Sequence, residues 1–246
     1  MKYQFCSNWY FYFSEMMIRV IFSILFLTIT YNSQSQIIIG LLFGKKLNND
    51  KLKFGVNVGL NYGTINSFKT DYSKIGLNLG LFLDIKLTDD LILSPEFFAI
   101  NETGGRNIPK YSIDNGVIDM ALNEASVKRT LKYISLPVIL KYNIYKGIRL
   151  NIGPQFSYLT KAQDVFFKSI ESGDVIFRNN IKSQYNKFDF GGIIGVEYAL
   201  LEGKGMSFSL RYFQGFIEAS KSKNTINRSQ YNQIIQFTTS IPVGSK

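Results

Sequence analysis

Histidine is absent from this 246-residue sequence, and cysteine occurs once, at Cys6. Without histidine the chain cannot form a Ser-His-Asp triad, a histidine-paired nucleophile or an imidazole metal site. A single cysteine excludes an intrachain disulfide and a thiolate metal cluster. We therefore expect a protein that is not an enzyme and that carries no metal and no other cofactor.

The sequence also lacks any clustering of its positive charge. Its 28 basic and 18 acidic residues give a net charge of +10, but lysine and arginine are scattered along the chain. No recognition helix or RNA-binding motif accompanies them, so we expect no nucleic-acid partner and interpret the charge as a solvated surface. No linker or low-complexity tract marks a domain boundary in the sequence.

A short apolar segment near the N-terminus predicts export. The apolar core at 20–29 follows a positive charge and precedes small residues, which is the layout of a secretory signal peptide. We expect residues 1–35 to form this peptide, with the true start at Met16 or Met17 and residues 1–16 upstream of it. The core is short for a transmembrane helix, and an uncleaved anchor is the alternative.

The stretch 131–159 has the clearest pattern in the chain. Apolar and polar residues alternate through two runs that are separated by Lys146 and Gly147, and this period of two predicts a long β-hairpin. Soluble strands usually have about five or six residues, whereas a tilted membrane-spanning strand needs roughly 9 to 11. The hairpin is therefore typical of an outer-membrane barrel.

Alternation of the same kind predicts six further strands, at 53–63, 75–87, 91–101, 187–200, 206–216 and 231–241. The connections after the second, fourth and sixth of the eight strands are short, and the others are longer, with polar loops expected at 102–130 and 163–186. This asymmetry predicts an all-β fold: an eight-stranded antiparallel up-and-down transmembrane β-barrel with short periplasmic turns and long external loops. We assign the barrel to 53–246, after a lead-in segment at 36–52.

Alternation alone does not decide which face of the sheet meets lipid. A soluble lipocalin-like barrel would bury the apolar face, and a membrane barrel would expose it. The signal peptide, the tyrosines near strand ends and the mixed charges on the polar face favour a bacterial outer-membrane barrel. Five apolar residues break the pattern and fall on the expected lumen side: Phe82, Phe98, Ile139, Leu159 and Ile193.

Charged residues on the polar face balance in number. They are Asp84, Lys86, Glu96, Lys141, Arg149, Asp189, Glu197 and Arg211. An unpaired charge in a low-dielectric interior costs several kcal/mol, so we hypothesise a lumen ion-pair network that replaces a pore, with Arg211 paired to Glu197. The alternative is a set of independent residues bathed in water.

A second set of charges falls in the expected external loops. It comprises Lys161, Lys168, Arg178, Lys182, Lys221, Lys223 and Arg228. These cations can contact lipopolysaccharide phosphates or anionic glycans, and ordinary solvated loops are the alternative. The expected partners are outer-membrane lipid and lipopolysaccharide, with envelope or secretion proteins as a further class.

Three segments, LKYISLPVILKY, NIGPQFSYL and KFDFGGIIGVEY, resemble the PorT-like family of porin-type outer-membrane β-barrels. The similarity extends from about Ile39 to the IPVG near the C-terminus. It implies an eight-stranded barrel of a Gram-negative outer membrane. The founding member is linked to a secretion pathway, but no residue motif carries that role. The C-terminus departs from many such barrels because it lacks a terminal aromatic residue, and Phe237 would have to serve as the assembly signal.

The leading functional hypothesis is a non-enzymatic integral barrel with a side-chain-filled lumen, which is expected for eight strands. It would act through its external loops in binding or in surface or secretion-related assembly. The alternatives are a small-solute channel, which bilayer conductance would reveal, and a soluble periplasmic ligand-binding barrel, which would not extract with membranes. An outer-membrane enzyme is disfavoured by the absence of histidine.

Overall fold

A computed structural model describes residues 51–65, 73–108, 110–113, 116–123, 125–170, 173–201, 205–221 and 230–243. The expected signal peptide and all but the last two residues of the expected lead-in segment lie outside the described residues.

Nine β-strands make up most of the described chain. They are β1 (Leu52–Ile65), β2 (Lys74–Lys86), β3 (Leu91–Gly105), β4 (Ser126–Tyr145), β5 (Ile148–Ile170), β6 (Gly173–Asn180), β7 (Phe188–Ala199), β8 (Ser207–Gly215) and β9 (Asn232–Pro242). Eight of them pair antiparallel in the closed order β1-β2-β3-β4-β5-β7-β8-β9, with β9 returning to β1. The predicted eight-stranded up-and-down barrel is therefore confirmed, and β6 is an additional strand that pairs with the end of β5.

The alternating sequence places polar residues inside the ring and aliphatic residues outside. In β2, buried and exposed residues alternate one by one from Lys74 to Leu81. Asn61 is fully buried in the lumen, whereas Ile152 and Phe188 on the outer surface are about 60% exposed, at 58% and 61%. An apolar outer surface of this extent is unfavourable in water and favourable in hydrocarbon.

Short turns connect the strands at one end of the barrel. Residues 87–90 join β2 to β3, and Lys146 and Gly147 join β4 to β5. Both central residues of the second turn have positive φ, 23° and 86°, as the tight hairpin turn requires, and Gly147 supplies the larger value without a steric cost. The long connections lie at the other end.

Two segments that the sequence predicts as polar loops contain regular structure, so those loop boundaries are wrong. In 102–130, β3 continues to Gly105, a short helix α1 spans Gly116–Ala121, and β4 begins at Ser126. In 163–186, β5 continues to Ile170, β6 follows, and a 3-10 helix spans Lys182–Gln184. No helix among the described residues is long and apolar enough to cross a membrane.

A bulge explains part of this error. The register of β4 with β5 shifts between Lys132 and Tyr133, opposite Lys161 and Leu159. An extra residue in one strand moves all following side chains to the other face. The period of two therefore breaks near Thr160, although the strand itself continues.

The five apolar exceptions on the lumen side are all buried there: Phe82, Phe98, Ile139, Leu159 and Ile193. They belong to the packing of the interior. Ile139 and Ile193 form a cluster with Phe213 and Ile234, and Leu159 packs with Leu131, Tyr185 and others in a second cluster. The lumen thus contains apolar layers between its polar ones.

Residues 106–108 and 110–113, helix α1 and the β5–β6 hairpin pack together beyond the ring, and we call them the external cap. Its apolar cluster consists of Ile108, Leu122, Ala125, Val127 and Phe166, with partly buried Tyr111, Ile113, Ile118, Val175 and Phe177 packed against it. The hairpin is therefore supported on one face by α1 and the segment before it.

Candidate functional site

Six charged side chains meet inside the barrel, and we call them the lumen charge cluster: Asp84, Glu96, Lys141, Arg149, Glu197 and Arg211. Each comes from a different strand, namely β2, β3, β4, β5, β7 and β8 in that order. All six residues are buried, with at most 7% of their surface exposed. Three carboxylates face three cations, so the cluster is electrically balanced.

Glu197 is the centre of the lumen charge cluster because it contacts all three cations. The Nη1 group of Arg149 donates a hydrogen bond of 2.9 Å to its Oε1. The Nζ atom of Lys141 lies 3.2 Å from its Oε2, and Nη2 of Arg211 lies 3.7 Å from the same oxygen. A single carboxylate thus links β7 to three other strands across the lumen.

Each of the two remaining carboxylates contacts one of these cations: Glu96 pairs with Arg211, and Asp84 pairs with Lys141. Arg211 donates two hydrogen bonds to Glu96, of 2.7 and 2.9 Å, in the bidentate geometry that makes such pairs strong. Lys141 lies 3.0 Å from Asp84 and 5.6 Å from the centre of the Phe82 ring. Because each buried charge is costly alone, removal of any one member leaves a partner uncompensated.

Two of the eight predicted lumen charges lie apart from this cluster. Lys86 is the last residue of β2, and its half-exposed side chain pairs with Asp89 in the adjoining turn at 2.7 Å. Asp189 is buried in the lumen farther from the short turns, where it accepts a hydrogen bond of 2.7 Å from Asn232. The same amide of Asn232 donates to the Tyr133 hydroxyl at 3.1 Å.

A chain of hydrogen bonds fills another layer of the lumen and was not predicted. Asn78 donates to Asn61 at 2.8 Å, Asn61 to Asn101 at 2.5 Å and Asn101 to Ser135 at 2.8 Å. Ser135 and Ser157 are also hydrogen-bonded, at 2.8 Å. The signal in the sequence is the Gly-x-Asn-x-Gly pattern of β1 and β2, in which glycine leaves room for inward-facing amides.

A separate buried ion pair joins the barrel to the external cap. Arg129 donates to both carboxylate oxygens of Asp164, at 2.8 and 2.6 Å, and to the Tyr185 hydroxyl at 2.8 Å. The Tyr111 hydroxyl donates to Asp164 at 2.9 Å and accepts from Asn179 at 2.9 Å. The sequence does not reveal this site, because the alternation breaks near Thr160 and Asp164 lies in a segment predicted as a loop.

The environment of Tyr111 keeps its hydroxyl protonated over the physiological range. Burial and the neighbouring Asp164 carboxylate raise the pKa of Tyr111 to about 12. Tyr111 therefore remains a hydrogen-bond donor to the carboxylate, and it ties the segment before α1 to β5.

Three of the seven predicted external cations meet in one place. Lys161, Arg178 and Lys182 line a pocket of about 230 Å³ on the β5–β6 hairpin, together with Thr160, Ala162, Gln163 and Asn180. We call it the cationic pocket. Lys168 pairs in register with Val175 nearer the tip of the hairpin. Lys221 is exposed, and Lys223 and Arg228 lie outside the described residues.

The sequence matches the family of the outer membrane protein β-barrel domain over residues 32–221. Among solved structures, neisserial surface protein A is 10% identical, with a TM-score of 0.41 over 77% of this chain and 96% of that one. The attachment invasion locus protein Ail of Yersinia pestis, in complex with the heparin analogue sucrose octasulfate, is 12% identical, with a TM-score of 0.41 over 78% and 99%. OprG of Pseudomonas aeruginosa is 11% identical, with a TM-score of 0.32 over 78% and 91%. No curated protein matches the sequence.

Proposed function

This chain belongs to the outer membrane protein β-barrel family and resides in the bacterial outer membrane, and from that premise we propose that it is neither an enzyme nor a channel. Its barrel is closed by its own side chains and acts through its external side, in binding or in surface or secretion-related assembly. Within the family, the segment LKYISLPVILKY supports a PorT-like member.

The observation that carries this proposal is the lumen charge cluster. Its six side chains extend inward from six of the eight strands and bridge them at 2.7 to 3.7 Å. A barrel of eight strands has an interior just wide enough for its own side chains. Solute passage would require these buried pairs to separate, and separation exposes charges that have no other partners of equal strength.

The external side is the part of the molecule best suited to contact other molecules. The cap presents an ordered hairpin whose position is fixed by its apolar cluster and by the Arg129–Asp164 pair. A surface held in one conformation loses little conformational freedom on binding. This supports recognition by the external cap over recognition by a mobile loop.

Planar-bilayer conductance of the refolded protein tests the closed lumen. We expect no steady openings from the wild type. Replacement of the fully buried pair Glu96–Arg211 by small residues, in Glu96→Ala/Arg211→Ala, should produce openings because it removes two side chains from the lumen. Steady large openings of the wild type would contradict the proposal and favour a small-solute channel. A heat-dependent shift on unboiled gels provides the control that each protein is folded.

A further inference from the structure

We propose that the cationic pocket binds a phosphate group of an outer-leaflet glycolipid, with Lys161, Arg178 and Lys182 as its ligands. This inference rests on the proposed function, in which the external side is the binding side, and it names the ligand. The ligand chemistry is a phosphate monoester attached to a lipid-linked sugar. Neither family membership nor the lumen charge cluster requires such a site.

The position of the pocket matches the level of lipid headgroups. Tyr158 and Phe188 pair across β5 and β7 on the outer surface, with ring centres 5.3 Å apart, and both are exposed. Exposed aromatic rings at strand ends mark the membrane interface. Thr160 and Lys161 lie two and three residues after Tyr158 along β5, and the Nζ atom of Lys182 lies 5.9 Å from the centre of the Tyr158 ring. The pocket therefore lies directly beside the aromatic residues that mark the membrane interface.

The charge of the pocket fits an anion. Three of its seven lining residues are cationic, and none is acidic. The nearby Lys132 has a separate partner, since it lies 3.3 Å from Glu102. The planar guanidinium group of an arginine can donate two hydrogen bonds to two oxygens of one phosphate, and the ammonium group of a lysine adds a compact positive charge. The side-chain amides of Gln163 and Asn180 add neutral donors at the same place.

The pocket is held in shape before any ligand arrives. The backbone N–H of Ile181 donates to the carbonyl of Ala162 at 3.1 Å, and the Ile181 side chain is fully buried in an apolar cluster of the lumen. The backbone N–H of Lys182 donates to the Asn180 side chain at 3.0 Å. The chain that carries Lys182 is thus fixed against β5, so a ligand does not have to order it.

The size of the pocket favours a lipid headgroup over a soluble polyanion. A volume of about 230 Å³ is many times the roughly 10–15 Å³ that one bound water needs on the same measure, so the pocket has room for a phosphate group. A sulfated glycan chain carries many charges in a row and needs a longer cationic track. A lipid that already lies in the outer leaflet needs only one such contact at this height.

Binding of lipid A to the refolded full-length barrel in detergent tests the proposal. The probes are phosphorylated lipid A, the same lipid after removal of its phosphates, heparin and inorganic phosphate. The variant is Lys161→Gln/Arg178→Gln/Lys182→Gln. The matched control is Lys146→Gln, because the Nζ atom of Lys146 lies 5.7 Å from the centre of the Tyr145 ring at the opposite end of the barrel and Lys146 does not line the cationic pocket.

We expect the triple variant to bind phosphorylated lipid A on the order of a hundredfold more weakly than the wild type. Lys146→Gln should bind as the wild type does, and removal of the phosphates should weaken wild-type binding to the level of the triple variant. Unchanged affinity in the triple variant would overturn the proposal. So would a loss confined to heparin or to inorganic phosphate, because the site would then serve soluble anions. A triple variant that keeps its affinity while the wild type stays non-conducting would refute this site and leave the closed barrel intact.

Discussion

Replacement of Arg211 by methionine should strongly destabilise the barrel. Methionine keeps most of the length of the side chain and removes its charge. Arg211 and Glu96 are both fully buried as side chains and are joined by two hydrogen bonds of 2.7 and 2.9 Å. The substitution leaves the Glu96 carboxylate without its cation and removes one of the three cations around Glu197.

The magnitude follows from the burial of the pair. Breaking a buried ion pair by removing one partner costs about 3–5 kcal/mol. For a chain of this size each kcal/mol shifts the unfolding midpoint by about 2–4 °C. We therefore expect Arg211→Met to lower the midpoint by roughly 6–20 °C.

The assay is the temperature at which the folded band on an unboiled gel converts to the unfolded one. Lys86→Met is the matched control because Lys86 also holds a carboxylate at 2.7 Å, but both partners of that pair are exposed. An exposed pair contributes little, so the control should unfold at the wild-type temperature. The double variant Glu96→Gln/Arg211→Met removes the stranded charge and should regain most of the loss.

Glu197→Gln in the Arg211→Met background should restore less than Glu96→Gln does. Glu197 still contacts Lys141 and Arg149, so its neutralisation leaves those two cations underbalanced. If Arg211→Met and Lys86→Met unfold at the same temperature, the electrostatic reasoning fails. It also fails if neither acidic substitution restores any stability.

Three further predictions concern the lumen and the external cap. Gly195→Val should lower the unfolding midpoint on unboiled gels, because a Cβ there would lie 2.4 Å from the carbonyl oxygen of Leu210 and 2.9 Å from Cγ of Arg211. An unchanged midpoint would contradict this, because it would mean that the neighbouring atoms move aside without a loss of stability. Because the pKa of Tyr111 is raised to about 12, its protonated hydroxyl stabilises the external cap fully below pH 10. This stabilisation is lost as the pH rises from 10 toward 12. Proteolysis of the external cap should therefore accelerate over that range in the wild type, while Tyr111→Phe lacks this step. Arg129→Met removes two hydrogen bonds to Asp164. It should therefore speed proteolytic cleavage of the β5–β6 hairpin, while the barrel still shows its heat-dependent gel shift. Equal cleavage rates in the variant and the wild type would contradict this prediction.

The strands of the ring were predictable because the membrane imposes a simple rule on them. From Leu131 to Tyr158 each residue faces either lumen or lipid, and the alternation of residue types follows directly. The same rule placed seven of the eight predicted charges in the lumen, but it suggested only one pair, Arg211 with Glu197. Glu96 and Arg211 are 115 residues apart in the sequence, and only the closure of the ring determines which charges oppose each other. This is why the structure gives Arg211 a closer partner than the predicted Glu197.

The external cap was not predictable from the same rule, because its strands have no lipid on either side. Near Thr160 the bulge reverses the alternation, and beyond it polar residues such as Asp164 are buried by pairing with Arg129. Inward apolar residues such as Ile139 and Ile193 also break the pattern, since a layered interior needs apolar contacts as well as ion pairs. Sequence alternation thus predicts where a strand crosses the bilayer and does not predict where it ends.

The pairing of β1 with β9 has a consequence for how the protein enters the membrane. Their ladder runs from Gly55 opposite Pro242 to Ile65 opposite Asn232, so the first and last strands of the described chain depend on each other. Without β9, one side of β1 presents a row of unpaired peptide groups, each of which costs several kcal/mol in hydrocarbon. A polypeptide cut before residue 232 should therefore find no stable position in the bilayer. The last strand is therefore as necessary as the first for a stable state in the membrane.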